Sequence, residues 1–396
     1  MKQKTKLRKL KSKIEGITLV ALVVTIIVLL ILAAVAINYT IGNNGIFTRA
    51  ENAVDRYEVA SDKEKNELNE ASNFIDEYIK INSKWNLGKT VLEAKELNKP
   101  FENDTIIKDD LLNDVKVPAG FKIAEDSKTK VEDGVVIEDD VGNQFVWVPA
   151  KTGDGTIVHT TLGDITITYQ RTDFGKQDGI YDDFSETMPT DEESSVNFNG
   201  GYYIGRFEAG DKVSTDGKKM RASGDSTSNE VSIKKGQAPY NFVTYDDSKA
   251  LAEGMSQERK YKAITKLVSS YAWDTAINLI KIKNEDYGIN SQQGNYKDTT
   301  FQYIDIEENE QTKEKGSNVL VPTGQTTAVS NIYDMGGNVW ERTTEFYNNS
   351  TTPISSISNR GGDYDNNSSV TPASYRDSIS NMNVNVYYSF RIALFL

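Results

Sequence analysis

The chain has 396 residues, enough for a membrane stalk and one or two domains. Its net charge is −13, and the first 16 residues alone carry +6, so the remainder carries −19, which excludes a general nucleic-acid binder. With no cysteine and one histidine, His159, the chain cannot build disulfides, thiol catalysis or a zinc site of several histidines.

The first predicted element is an apolar helix. Ile17 to Ile37 reads ITLVALVVTIIVLLILAAVAI, without a charge, and is long enough to cross a bilayer. Lys2, Lys4, Lys6, Arg8, Lys9, Lys11 and Lys13 precede it and hold that end in the cytoplasm. The expectation is a single-pass transmembrane helix over 17–41 with the C-terminal domain outside, at the cell surface. Gly16 closes the basic leader directly before I-T-L-V-A-L, and this junction resembles the type IV prepilin leader. The resemblance implies a prepilin peptidase as partner, cleavage between Gly16 and Ile17 of a leader spanning 1–16, and methylation of Ile17. An ordinary N-terminal anchor is the alternative. Most pilins carry a Glu where this chain has Ala21, which counts against assembly with other pilins into a filament.

Gly42-Asn43-Asn44-Gly45 breaks the helix, and Thr48 with Glu51 forms a capping-box pattern that opens a second one. An amphipathic helix over 48–82 follows, with Leu68, Ala71, Ile75, Tyr78 and Ile79 on one face. Residues 83–140 are acidic and mixed, and read as a spacer with short elements. From Val141 the pattern turns β-rich: Gln144–Pro149 is a short apolar strand, Thr160–Tyr169 alternates, and 200–208 is a further strand. Helices are predicted near Asp246–Met255 and Ser269–Ile282, the second with Tyr271, Trp273, Ala276 and Ile280 as its apolar face.

The block Asn331-Ile332-Tyr333-Asp334-Met335-Gly336-Gly337-Asn338-Val339-Trp340-Glu341 resembles the signature of the formylglycine-generating (sulfatase-modifying) family. Phe145–Pro149, Tyr202–Glu208, Ala238–Thr244, Arg360-Gly361-Gly362 and Ser389-Phe390-Arg391 are similar to further family phrases, in the family's order. The resemblance covers 141–396. It implies an α+β protein: an N-terminal transmembrane or stalk helix followed by a variant C-type lectin-like domain. Gly336 and Gly337 suit positive φ in a tight turn. Trp340 and Trp147 suit apolar anchors, and Arg360 and Arg391 suit buried guanidiniums on backbone carbonyls.

In several members of that family a calcium is held at the places of Asp334, Gly337, Val339 and Glu341, so the resemblance implies a Ca²⁺ site there. The other reading is that Asp334 caps the turn and Glu341 pairs with Arg342 or Arg360. The enzymes of the family use a cysteine pair, which this chain lacks, and His159 reads as a surface residue. A non-catalytic binder follows, with Tyr364, Asn366, Asn383, Asn385, Tyr387 and Tyr388 exposed as its face for an extracellular protein or glycan. Asn codons mutated at adenine yield this composition, so a diversity-generating retroelement is one source of the segment. A structural minor pseudopilin is the alternative function, and an unrecognised hydrolase or oxidase the third.

Overall fold

A computed structural model describes residues 19–41, seven residues between 57 and 68, 86–175, 181–212, 219–228, 230–348 and 356–396. The chain divides into two compact units, Met1–Asn82 and Ser83–Leu396.

In the first unit, helix α1 runs Leu19–Ile41. Its side chains from 22 to 38 are exposed, Leu29, Leu30, Ile31 and Leu32 among them. No helix among the described residues is long and apolar enough to cross a membrane. Tyr57, Ala60, Ser61, Lys63, Glu64, Lys65 and Leu68 are helical, within the amphipathic helix expected over 48–82. The cleavage pair Gly16 and Ile17, and the capping pattern at Thr48 and Glu51, lie outside the described residues.

The second unit begins where the sequence suggested a spacer. Strand β1 (Asn86–Thr90) leads into helix α2 (Val91–Leu97), capped by Thr90 and Glu93, which exchange backbone bonds of 2.8 and 3.2 Å. Strands β2 (Thr105–Lys108), β3 (Asp114–Val117), β4 (Lys122–Ile123) and β5 (Val136–Glu138) follow. Val91, Ile107, Val115, Phe121, Ile123 and Val136 are buried in the same core as the downstream residues. The folded unit therefore starts near Ser83 and not at Val141, and 83–140 is part of it.

Three hairpins in this unit share one turn. Asp109-x-x-x-Asn113 joins β2 to β3, and Asp139-x-x-x-Asn143 joins β5 to β6 (Gln144–Pro149). In each, the Asp carboxylate accepts the Asn backbone N–H (2.8 and 2.7 Å) and the Asn side-chain amide (2.9 and 2.8 Å). The residue before the Asn has positive φ: Leu112 at 69° and Gly142 at 92°. Strands β7 (Thr156–Thr160) and β8 (Gly163–Ile167) form the next hairpin, so the alternating stretch expected over 160–169 is two strands with a turn at Thr161–Leu162. His159 is exposed, its ring 2.7 Å from Asp164.

Strand β9 (Phe184–Ser185) and helix α3 (Thr190–Asn199) precede β10 (Gly201–Gly205). Short strands β11 (Gly210–Asp211), β12 (Val231–Ser232) and β13 (Ala238–Pro239) form a small sheet. Helix α4 (Tyr245–Glu258) is capped by Thr244, and α5 (Ser270–Ile280) by Ser269, with β14 (Ile264–Leu267) between them. The two helices match the sequence expectation within a few residues. Strands β15 (Phe301–Ile304) and β16 (Glu310–Lys313) use the third Asp-x-x-x-Asn turn, Asp305 to Asn309. The last strands are β17 (Trp340–Tyr347), β18 (Ser356–Arg360), β19 (Arg376–Ser380), β20 (Tyr388–Phe390) and β21 (Ile392–Phe395).

Two sheets organise the unit. One has the order β14-β21-β10-β6-β5-β4, and the other β19-β18-β17-β20, with β9 also pairing with β17. Trp147 and Trp273 are fully buried in the main core, Trp147 tilted on Tyr203 at 5.0 Å.

Candidate functional site

The second sheet carries the site. Its register sets Ser389, Glu341, Arg360 and Arg376 in one transverse row, and Phe390, Arg342, Asn359 and Asp377 in the next. Neighbouring rows point to opposite faces of a pleated sheet.

The first row is a buried ion network. Arg360 and Arg376 each place Nη2 2.5 Å from one oxygen of Asp274 on α5. Arg376 Nε also meets both oxygens of Glu345, and Arg171 Nε donates to the same carboxylate at 2.8 Å. Arg360 donates to the carbonyls of Ser374 and Tyr375, as expected of a guanidinium in a loop-rich core. The Tyr181 ring lies against both Arg171 and Arg376.

Beside it, Arg391 clamps Glu341 through Nε–Oε2 (2.8 Å) and Nη2–Oε1 (2.6 Å), and donates to the carbonyls of Gly205 and Tyr333. The partner of Glu341 is thus Arg391, and neither Arg342 nor Arg360. Asp334, at φ 59°, accepts the Gly324 N–H at 2.6 Å and the Thr326 hydroxyl at 3.0 Å. Gly337 has positive φ (74°), and its N–H bonds the Gly361 carbonyl. Gly336 does not use positive φ; it is small because a Cβ there would meet Ser291 at 2.8 Å and Tyr296 at 3.0 Å.

These contacts decide the fit of a calcium ion to Asp334, Gly337, Val339 and Glu341. Both carboxylates are spent on protein donors, and a guanidinium already neutralises Glu341. Burial raises Glu341 to about 7 against the opposing pull of Arg391, and burial also raises Asp334. Nearby Glu208 is pushed well up by burial and by the charges of Asp334 and Glu341, which favours its neutral form. The residues present do not fit the metal. Chelator and added calcium are expected to leave the melting temperature unchanged. Glu341→Gln should lower stability by about 2–3 kcal/mol in both conditions, because it removes the charge facing buried Arg391. A calcium-dependent rise in thermal denaturation of the wild type would restore the ion.

The six residues expected to form an exposed face divide. Tyr364, Asn366, Asn383, Asn385 and Tyr387 are half-buried, and Tyr388 is buried. The correction at Tyr388 has a simple cause: it is a strand residue paired with Trp340, and Arg342 sits 5.4 Å from its ring. Tyr364 and Tyr387 stack at 5.4 Å with planes 29° apart. The Asn385 Oδ1 accepts the Tyr387 N–H, and its amide donates to Asn383 Oδ1 at 3.2 Å. Asn366 instead caps a local turn, its Oδ1 accepting the Asp363 N–H. Trp340 is buried but stands outside the main core, against Tyr375 at 6.0 Å. It therefore walls the site, while Trp147 and Trp273 anchor the core.

Sequence reasoning did not select Asn359 or Asp377, and weighed Arg342 only as a partner for Glu341. The available signal was alternation: Arg342 lies one residue from Glu341 in a strand, so the two face opposite ways.

Residues 218–395 match the model of the Sulfatase-modifying factor enzyme 1-like domain, a family whose fold is of the C-type lectin kind; this chain holds no cysteine. The chain is similar to the structure of PvdO from Pseudomonas aeruginosa, at 16% identity over 68% of this chain and 100% of that one, with a TM-score of 0.35. CarF is 13% identical over 50% and 87% of the two chains, at 0.34. Treponema denticola variable protein 1 is 11% identical over 64% and 96%, at 0.35. No curated protein matches the chain.

Proposed function

We propose that this chain is a membrane-anchored, pilin-like surface protein whose C-terminal domain binds a ligand and catalyses no reaction. The observation that carries the reading is the manner in which residues 381–387 are held. Their carbonyls at Asn381, Asn383, Asn385 and Val386 accept from the Tyr245 N–H, the Arg342 guanidinium, the Phe242 N–H and the Asn241 amide. The side chains of Met382 and Val384 are exposed. A segment fixed through its backbone carries varied side chains at little cost to the fold, which is what a recognition loop needs. It is also what diversification by a retroelement would require, and a near-identical DNA repeat differing at adenines would test that part.

The absence of cysteine supports the non-catalytic reading, since the family resemblance implies chemistry on a cysteine pair. The uncharged run through α1 and the basic leader support an anchor processed after Gly16. The uncharged, exposed surface of α1 would equally suit packing among subunits, which favours a minor pseudopilin as the second reading. Recovery in sheared filaments supports that alternative, and recovery in membranes alone supports the anchor.

The direct test replaces Tyr364 and Tyr387 together by alanine and probes an array of immobilised glycans and surface proteins. The stacked pair contributes about 0.5–1.5 kcal/mol, so the domain should stay folded. Array binding by the wild type should be lost in the double variant. Equal binding by both proteins would refute the assigned face.

A further inference from the structure

Several buried polar atoms on one face of the second sheet have no hydrogen-bond partner within the protein. Arg342 and Asn359 are cross-strand partners and are fully buried. Arg342 spends Nη2 on the carbonyls of Val243 and Asn383, while Nε and Nη1 have no partner. Asn359 has no partner for either Oδ1 or Nδ2. Burial lowers Arg342 to about 10, and the neighbour that counters this is the Tyr388 phenol, with no carboxylate paired to the guanidinium. Asn359 pairs in turn with Asp377 on the edge strand β19, where the row reaches half-buried positions. Trp340 and Tyr388 stand two residues from Arg342 and Phe390, hence on the same face, and the Tyr375 ring lies 6.0 Å from that of Trp340.

Buried donors and acceptors left open destabilise a fold, and native proteins keep few of them without a use. Here the row holds a guanidinium, a carboxamide and a carboxyl group, walled by aromatic rings. A guanidinium without a carboxylate suits a ligand carboxylate. A carboxamide gives and accepts hydrogen bonds and a carboxylate accepts them, which together suit hydroxyls. Apolar walls with a few convergent polar groups are the make-up of a small-molecule site.

We propose that Arg342, Asn359 and Asp377 line a slot for a sugar acid, entered at the β19 edge, with the ligand carboxylate on Arg342 and its hydroxyls on Asn359 and Asp377. This deepens the recognition reading and rests on it, but it uses residues other than Tyr364 and Tyr387.

The test measures thermal shift and calorimetric affinity on the full chain with glucuronate, using glucose and acetate at matched ionic strength as controls. Glucuronate should raise the melting temperature, and the two controls should not. Asn359→Leu removes the open amide at similar volume. Without ligand it should melt at or above the wild-type temperature, and it should bind glucuronate at least about tenfold more weakly. Asp377→Ala, at a half-buried edge position, should fold normally and also weaken binding. A lower melting temperature for Asn359→Leu would mean that an ordered water satisfies the amide and that its role is structural, which overturns the proposal. So would no shift with glucuronate, or equal shifts in wild type and both variants. If the slot fails while the Tyr364/Tyr387 variant still loses array binding, the surface reading stands and the sugar-acid site falls.

Discussion

Replacing Asp274 by alanine is expected to cost about 3–5 kcal/mol, because it strips the counter-charge from two buried guanidiniums at once. Asp274 is fully buried; its two oxygens hold Arg360 and Arg376, and one of them also accepts the Thr172 N–H at 3.0 Å. Arg360 retains carbonyl partners after the change, yet burial already lowers it to about 10 with Asp274 in place. A loss of that size consumes a large part of the 5–15 kcal/mol that typically holds a domain together. Asp274→Asn keeps the shape and removes the charge, so its cost should fall between wild type and alanine. Urea denaturation followed by tryptophan fluorescence measures the series. An alanine variant within about 1 kcal/mol of wild type would show that solvent reaches the network.

The second large effect is expected at Asp139. Its Oδ1 accepts the N–H groups of Val141 and Asn143, and its Oδ2 accepts the Asn143 amide, the Tyr261 hydroxyl at 2.6 Å and Arg259 Nε at 3.3 Å. Asp139→Ala leaves buried donors open at a turn beside the core and should cost about 3–4 kcal/mol. Asp305 makes the same turn at the surface, where water replaces the lost bonds, so Asp305→Ala should cost far less than Asp139→Ala. Equal losses at the two positions would mean that the turn itself, and not its burial, sets the energy.

Some of this architecture can be read directly from residue order. Ser269 before an apolar face of three- and four-residue spacing marks α5, and the apolar run ending at Pro149 marks β6. The G-N-V-W-E block marks the turn from which β17 starts. Residues 83–140 resisted because β2 to β5 have only two to four residues and are mostly buried on both faces, which erases alternation. The readable signal there was the Asp-x-x-x-Asn turn, repeated at 109, 139 and 305. At the site, the run Asn385-Val386-Tyr387-Tyr388 has surface composition throughout, yet strand pairing buries Tyr388 alone among its members. Arg342 and Asn359 look like solvent-facing polar residues in sequence; only the register, which pairs them across β17 and β18 beneath the 381–387 segment, buries them.

The place of β21 bears on how the domain comes into being. It lies between β14 and β10, pairing Leu394 with both Thr265 and Tyr203. Until a growing chain has emerged past residue 395, β10 and β14 each present an unfilled edge, and the six-stranded sheet cannot close. Pairings this distant in sequence form slowly. The six-stranded sheet therefore closes only once residues 392–395 are free to pair with both neighbours. A product halted before Ile392 would keep two open strand edges, the kind of surface that draws aggregation and quality-control proteases.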